Sequence, residues 1–507
     1  MVETLVRSNI NVCFANPGTS EIHTTVALER SPGMRPVLTL FEAVATGAAD
    51  GYARMTGSPA AVLLHQGPGL ANGLTNIHNA TKAKSPIVNI VGGHTRQHRQ
   101  YDTPLQADIA GIAGTVCPWV REVTDPKKIA TDTAEAAAVA NGPPGQVATL
   151  VVPSDCAWAE AGEPAEPLPA RLRSEVSQGL VEAAVKALTC GEPAALFVGG
   201  TVLLDQSLAA AGRIAHSTGA RLFGAGFFAR LQRGAGRLNL ERLPYFPEDA
   251  EATVANLRQA VMVGCTEPVT FFAYPNSGGL VLPNDCSRTF LAGPDANVAA
   301  ALAALSEALE ATDDMAVLDL PLPEAPTGNL TAEKAAAIIA LDLPEGTIVS
   351  EEGITAGFEC FNKTVGSAPH DWLFITGGGL GQGLTAATGA AIACPDRKVL
   401  CLHGDGGAMY TCQALWTQAR ENLDITTVIF ANRSYAILEV ELQRLGLNQV
   451  SKELDSLVSI DNPTLDFVKL AESMGVEAMR ATTAEEFRDQ FSNCMNRGGP
   501  QLIEVIL

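Results

Sequence analysis

Two stretches of this chain repeat one another, and that repetition limits the possible folds more than any other feature. The first, from Ala45, reads ATGAADGYARMTGSPAAVLLHQGPGLANGL, and the second, from Ala387, reads ATGAAIACPDRKVLCLHGDGGAMYTCQALW. Each passes from a small-residue helix to an apolar strand ending in histidine (His65, His403), a Gly-rich turn and another helix. A further apolar strand follows in both. Such switching between helical and strand periods gives βαβ units and a parallel sheet. Two related domains are therefore expected to flank a middle one. In the middle, Ala194–Val198 followed by Gly199-Gly200 reads as strand and turn, and 208–218 with 221–223 repeats the helix–strand rhythm. The Pro-containing segments 162–169 and 321–326 read as linkers. The expected fold is α/β, with three doubly wound parallel-sheet domains at 1–160, 170–318 and 328–507. A chain of 507 residues is long enough to need several cores.

Charge narrows the partners. With 34 basic and 55 acidic residues (34 − 55 = −21), long-range attraction to nucleic acid or an anionic membrane is not expected. An anionic ligand must be held by local groups or a metal. The 11 cysteines are scattered and contain no CxxC pair, which reads as reduced thiols of a cytoplasmic protein. The start, MVETL, has no basic or long apolar leader, and no run of about 18 apolar residues could span a membrane.

The chemistry concentrates after the strand expected at 399–403. Gly404-Asp405-Gly406-Gly407 lies at its carboxyl end, with a helix expected over 408–421 and a second strand over 426–431, ending at Asn432-Arg433-Ser434-Tyr435. Open parallel sheets bind ligands at such strand ends, where glycines admit the backbone and a helix N-terminus faces an anion. One crossover brings Asp405 and Asn432 to the same sheet edge. A carboxylate, a carboxamide oxygen and one backbone carbonyl form a hard-oxygen set suited to magnesium, with room for phosphate oxygens and water. Gly377-Gly378-Gly379-Leu380-Gly381-Gln382-Gly383 fits no GxGxxG register, and no GxxxxGK[ST] occurs. FAD or a nicotinamide cofactor is thus not supported by motif, although a flavin-bearing oxidase remains a rival reading.

The Asp405…Asn432 pairing resembles the thiamin diphosphate signature GDG…NN, with Ala431 in place of the first Asn. Almost the whole chain resembles the acetolactate synthase and benzoylformate decarboxylase family, through NPGTSE at Asn16, LFEAVATGAADGYAR at Leu40, HQGPGLANGL at His65, GGGLGQGLTAATGAA at Gly377 and GPQLIEVIL at Gly499. The resemblance implies pyrimidine-binding, middle and diphosphate-binding domains in that order, and thiamin diphosphate and Mg2+ as cofactors. It further implies active sites between the subunits of a homodimer or homotetramer. Glu42 matches the glutamate that bonds N1′ of the cofactor's pyrimidine and so activates its reactive carbon. Leu380 matches the bulky residue that props the cofactor in a bent shape, with Gly378 offering its carbonyl. Gly353 falls where the diphosphate-contacting loop begins. Gly404, Asp405, Gly406, Gly407, Asn432 and Tyr435 complete the cofactor contacts, with Asp405, Asn432 and Ser434 on the metal.

The substrate end is mixed. His65 matches a substrate-facing histidine of benzoylformate decarboxylase, and Thr19 that enzyme's carboxylate-contacting serine. Phe271-Phe272-Ala273-Tyr274 stands where its second histidine would be, and Leu438 replaces the glutamate of pyruvate decarboxylases. Leu105-Gln106-Ala107-Asp108 instead resembles a stretch of acetolactate synthases. The expected reaction is decarboxylation of a 2-oxo acid with carboligation, the alternatives being a non-ligating decarboxylase, an acyl-CoA lyase or an inactive homologue. His94, Arg96, His98 and Arg99 form a basic loop that is either solvated or steers anions, and 443–447 is expected to cap the pocket.

Overall fold

The computed structural model describes residues 1–507 except 225, 239, 276, 315–319 and 448–450, and for Asp205 the backbone only. The domain boundary expected at 318 lies outside the described residues. The chain forms two compact units, Met1–Ala170 with Leu322–Leu507, and Arg171–Pro321. All the strand pairs named below are parallel, as the repeat predicts.

Across the N-terminal sheet the strands run Arg35–Leu38, Val12–Asn16, Ala60–Leu64, Ile87–Gly93, Val147–Pro153, Trp119–Glu122. Winding therefore reverses between Val12–Asn16 and Ala60–Leu64, opening a crevice at their carboxyl ends. The C-terminal strands of the same unit run Glu477–Ala481, Gln501–Ile506, Ile425–Ala431, Val399–Gly404, Ile348–Glu352, His370–Phe374. Here the reversal falls between Ile348–Glu352 and Val399–Gly404. In the second unit it falls between Ala194–Val198 and Gln259–Val263, whose ends are tied by a bond from the Gly199 N–H to the Val263 carbonyl. The central strands are buried throughout their length, which is why they read as unbroken apolar runs.

The small-residue helices of the repeat, Glu42–Thr56 and Gln382–Ala393, pack on each other. A Cβ added to Gly51 would stand 2.1 Å from the Ala386 carbonyl oxygen, and one on Gly389 1.8 Å from that of Ala48. The two backbones are in contact, so glycine is required on steric grounds. A buried polar network pins this crossing. Asp50 binds Arg54 Nε and Nη2 at 2.8 and 2.6 Å and Gln382 Nε2 at 3.1 Å, and Arg54 Nη1 donates to the Phe374 carbonyl at 2.7 Å. Removing one partner of such a pair costs about 3–5 kcal/mol, because the other charge is left buried.

The helix expected over 408–421 is broken into Asp405–Ala408 and Ala414–Arg420. The break is held from outside: Thr411 Oγ1 donates to the Gly381 carbonyl at 2.8 Å.

Candidate functional site

Asp405 directly follows the strand Val399–Gly404 at the reversal point. Its Oδ1 accepts the Gly406 N–H at 2.8 Å, and its Oδ2 the Arg433 N–H at 2.6 Å. The second bond crosses to the neighbouring strand end, where Arg433 takes a left-handed conformation at φ 59°. Burial raises the Asp405 carboxyl above its usual range, against the two N–H bonds that lower it. Asn432 Oδ1 accepts the Ser434 N–H at 3.1 Å, and the Ser434 hydroxyl is bonded to Glu439. The Tyr435 ring lies on Gly406, where an added Cβ would meet it at 2.5 Å. Asp405, Asn432, Ser434 and Tyr435 are thus brought together.

Beneath them lies a second acidic layer. Glu351 Oε1 accepts the Gly353 N–H at 2.8 Å. The wholly buried Glu352 accepts N–H groups from Gly381 and Gly383, both at 2.6 Å. His403 Nε2 sits 3.5 Å from Glu352, and its Nδ1 is 3.0 Å from the Gly404 carbonyl. Burial lowers the affinity of His403 for a proton, but the Glu352 carboxylate, the Gly404 carbonyl and Glu351 together outweigh it and the net shift is upward. Gly353, Gly378, Leu380, Gly404 and Gly407 line the loops held by this layer. Glu352 was invisible to motif reading because its partners lie about thirty residues on.

The N-terminal reversal point carries the second group. Glu42 starts the helix Glu42–Thr56 and is buried, and its Oε2 accepts the Asn72 carboxamide at 3.0 Å. The N-terminus of that helix favours the negative charge. His65 ends the strand Ala60–Leu64 and caps the helix Gln66–Ala83. His65 Nδ1 lies 2.7 Å from Glu21 Oε2 and 3.2 Å from Ser20 Oγ, and Gln66 Nε2 donates to Ser20 at 3.1 Å. Glu21 is buried and also takes the Gly18 N–H at 3.0 Å. Gly18 is sterically obligatory here, since an added Cβ would stand 2.1 Å from His65 Nδ1. Thr19 opens the short turn Thr19–Glu21 and is exposed, while its neighbours Ser20 and Glu21 meet the histidine. Glu21, Ser20 and Asn72 are additions to the expected set.

The basic loop is neutralised locally. Arg96 pairs with Asp155 and Arg99 with Glu122, each at 2.7 Å. Desolvation lowers the His94 pKa, and nearby His98, Arg99 and His65 lower it further. His94, Arg99 and Gln106 join Gln66 in lining a cavity of about 290 Å3. The helix Ala436–Arg444, overlapping the segment expected to cap the pocket, buries no residue.

Two family profiles match this architecture: "Thiamine pyrophosphate enzyme, N-terminal TPP binding domain" over residues 1–112, and "Thiamine pyrophosphate enzyme, C-terminal TPP binding domain" over 362–505. A Mycobacterium tuberculosis protein, IlvX, provisionally named an acetolactate synthase large subunit, is 47% identical over all of this chain and 98% of its own length. The chain belongs to the thiamine pyrophosphate enzyme family. Among other members, the benzoylformate decarboxylase of Pseudomonas aeruginosa is 27% identical, covering 99% of this chain and 97% of its own. The structure of a thiamine diphosphate-dependent 4-hydroxybenzoylformate decarboxylase from Rhodococcus jostii superposes with a TM-score of 0.87 at 25% identity, covering 99% and 97%.

The residues present suit this family's cofactor. Asp405 is a desolvated carboxylate at the strand end that neighbours Asn432, and such oxygen donors would suit a hard cation bound to a diphosphate. Among the described residues no group of three or more His, Cys, Asp or Glu could form a metal cage. No described helix is long and apolar enough to cross a membrane.

Proposed function

We propose that this chain is a thiamin diphosphate- and magnesium-dependent enzyme that decarboxylates a small or medium aliphatic 2-oxo acid and joins the product to a second carbonyl compound. The observation that carries the reading is the Asp405 carboxylate, buried at a reversal point and oriented by the Gly406 and Arg433 N–H groups. Asp405, Asn432 and Ser434 would hold Mg2+, and Gly353, Gly404, Gly406, Gly407 and Tyr435 the diphosphate. When bound, the cofactor supplies a nucleophilic ring carbon and an electron sink for loss of carbon dioxide.

The remaining work falls to the chain's own side chains. Asn72 occupies Glu42 Oε2, which leaves Oε1 to exchange a proton with the pyrimidine. Glu21 accepts from His65 Nδ1 and so orients the ring with Nε2 available to carry a proton. Leu438, 46% exposed and apolar, offers no proton where pyruvate decarboxylases have a glutamate. Slow protonation gives the second carbonyl compound time to react, which supports carboligation. A second reading, aldehyde release alone, is favoured by the intact Glu21–His65 pair.

The family's inter-subunit site is part of the proposal. It is supported by apolar side chains left exposed next to both groups: Ile22 and Val26 after Glu21, Met409 and Tyr410 after Asp405. A homodimer or homotetramer is the expected assembly.

The test is product identification with thiamin diphosphate, Mg2+ and a panel of 2-oxo acids, for wild type and Glu42→Gln. The variant is expected to bind cofactor and lose about 10²–10⁴ in rate, the range for a proton-transfer group. Wild-type turnover in Glu42→Gln, or no product from any 2-oxo acid, overturns the reading.

A further inference from the structure

The segment 377–383 contains five glycines, of which Gly378 and Gly381 adopt left-handed φ values of 73° and 93°. Such a sequence has little conformational preference of its own, and its order must be imposed by neighbours. The structure shows where that order comes from. Asn79, buried on the helix Gln66–Ala83, takes both polar backbone groups of Gly379: its Nδ2 donates to the carbonyl at 2.7 Å, and its Oδ1 accepts the N–H at 3.1 Å. On the other side of Leu380, Glu352 accepts the Gly381 N–H at 2.6 Å and Thr411 donates to the Gly381 carbonyl at 2.8 Å. Leu380 itself remains half-buried. All four polar groups of its two neighbours are thus fixed by buried side chains. The contact is tight, since an added Cβ on Gly379 would meet Thr75 Cγ2 at 2.5 Å.

We propose that Asn79 and Glu352 are positioning residues that grip the backbone on either side of Leu380 and so set the bend of the bound cofactor. The proposal rests on the reading above. Two observations favour it over the obvious alternative, a phosphate nest. Successive free N–H groups make an anion site, but in this loop the N–H groups of Gly379, Gly381 and Gly383 point at side-chain oxygens. The loop therefore presents a side chain, and Leu380 is the only residue in it with a large apolar one. One clamp comes from the N-terminal half and the other from the C-terminal half, so the Leu380 position depends on how the two halves are docked.

The experiment uses the full chain with thiamin diphosphate and Mg2+, and follows exchange of the cofactor's reactive C–H by NMR. Asn79→Asp keeps the acceptor and size but loses the donor to Gly379. It is expected to bind cofactor within about threefold of wild type by calorimetry. Exchange should slow by roughly 10- to 100-fold, as expected when reacting groups are misplaced by an ångström or less. A role in general stability would give the same loss whether or not Leu380 is present, so the deciding measurement is the cycle with Leu380→Ala. In that background Asn79→Asp should slow exchange by no more than about twofold, because contacting residues are non-additive. Wild-type exchange in Asn79→Asp, or fully additive losses in the double variant, overturns the proposal. If Asn79→Asp does not fold, Glu352→Gln probes the same loop from the opposite side under the same criteria. Failure of the wild type to bind thiamin diphosphate would sink the functional reading itself, which is visible before any Asn79 variant is made.

Discussion

His65 Nδ1 lies 2.7 Å from Glu21 Oε2, and the carboxylate is almost completely shielded from solvent while the imidazole is about one-quarter exposed. The pair is built from two different loops at one reversal point, 44 positions apart in the chain. A buried carboxylate on Nδ1 fixes the ring orientation and favours one tautomer, leaving the exposed nitrogen to face a ligand.

Glu21→Gln should therefore lower turnover by about 10- to 10²-fold while leaving cofactor affinity unchanged, because a carboxamide can accept the same bond without the charge. Steady-state kinetics alongside calorimetry of cofactor binding check this; unchanged turnover in the variant would remove the Glu21–His65 pair from proton transfer.

His65→Ala should suppress aldehyde release more than ligation, since no other acid stands ready at Leu438. The product ratio should shift about tenfold, or roughly 1.4 kcal/mol. Chromatography of products from pyruvate and 2-oxobutanoate measures it. Aldehyde alone from both proteins, in an unchanged ratio to carbon dioxide, rules out the carboligase half of the proposal.

Asp405→Ala should abolish Mg2+-dependent retention of the diphosphate, since it removes both the charge and the ligand that the Arg433 and Gly406 N–H groups orient. Calorimetry with and without Mg2+ decides the point, and equal affinity in variant and wild type would disprove the metal assignment.

Three buried thiols make stability sensitive to alkali. Burial pushes Cys13 and Cys265 up to about 12 and Cys117 to about 11, from an ordinary 9.0. Below pH 9 both folded and unfolded states keep these protons. Above it the unfolded chain loses them first, so stability falls as pH rises from about 9 towards 12, by up to ~1.4 kcal/mol per pH unit for each thiol. Cys13→Ala should flatten the slope of denaturation free energy against pH by one proton. A slope equal to wild type would mean the thiol ionises freely in the folded protein.

How much of this was legible in the sequence depended on distance along the chain. Asp405 and Asn432 were readable because strand, glycine turn and crossover are consecutive, and the structure brings them together as expected. The three-sheet α/β plan was readable from the repeat. Glu21 was quoted within a motif yet given no task, because its partner becomes a neighbour only through the sheet order. The helix over 408–421 was overextended for a similar reason: Thr411 is drawn to the Gly381 carbonyl, a tertiary bond that no local propensity records. Asn79 carried no local signal because its partner Gly379 lies 300 positions along the chain.

The backbone contact at Gly51 and Gly389 has a consequence for how such a chain can change over generations. A methyl group there drives two helices apart at a cost of about 1–3 kcal/mol or more, and disturbs both reversal points together. The exposed positions of the helix Ala436–Arg444, which has no fully buried residue, are expected to tolerate exchange within about 0.5 kcal/mol. Variation is thus channelled: the crossing is frozen, while exposed positions such as Leu438 can change without endangering the fold that carries them.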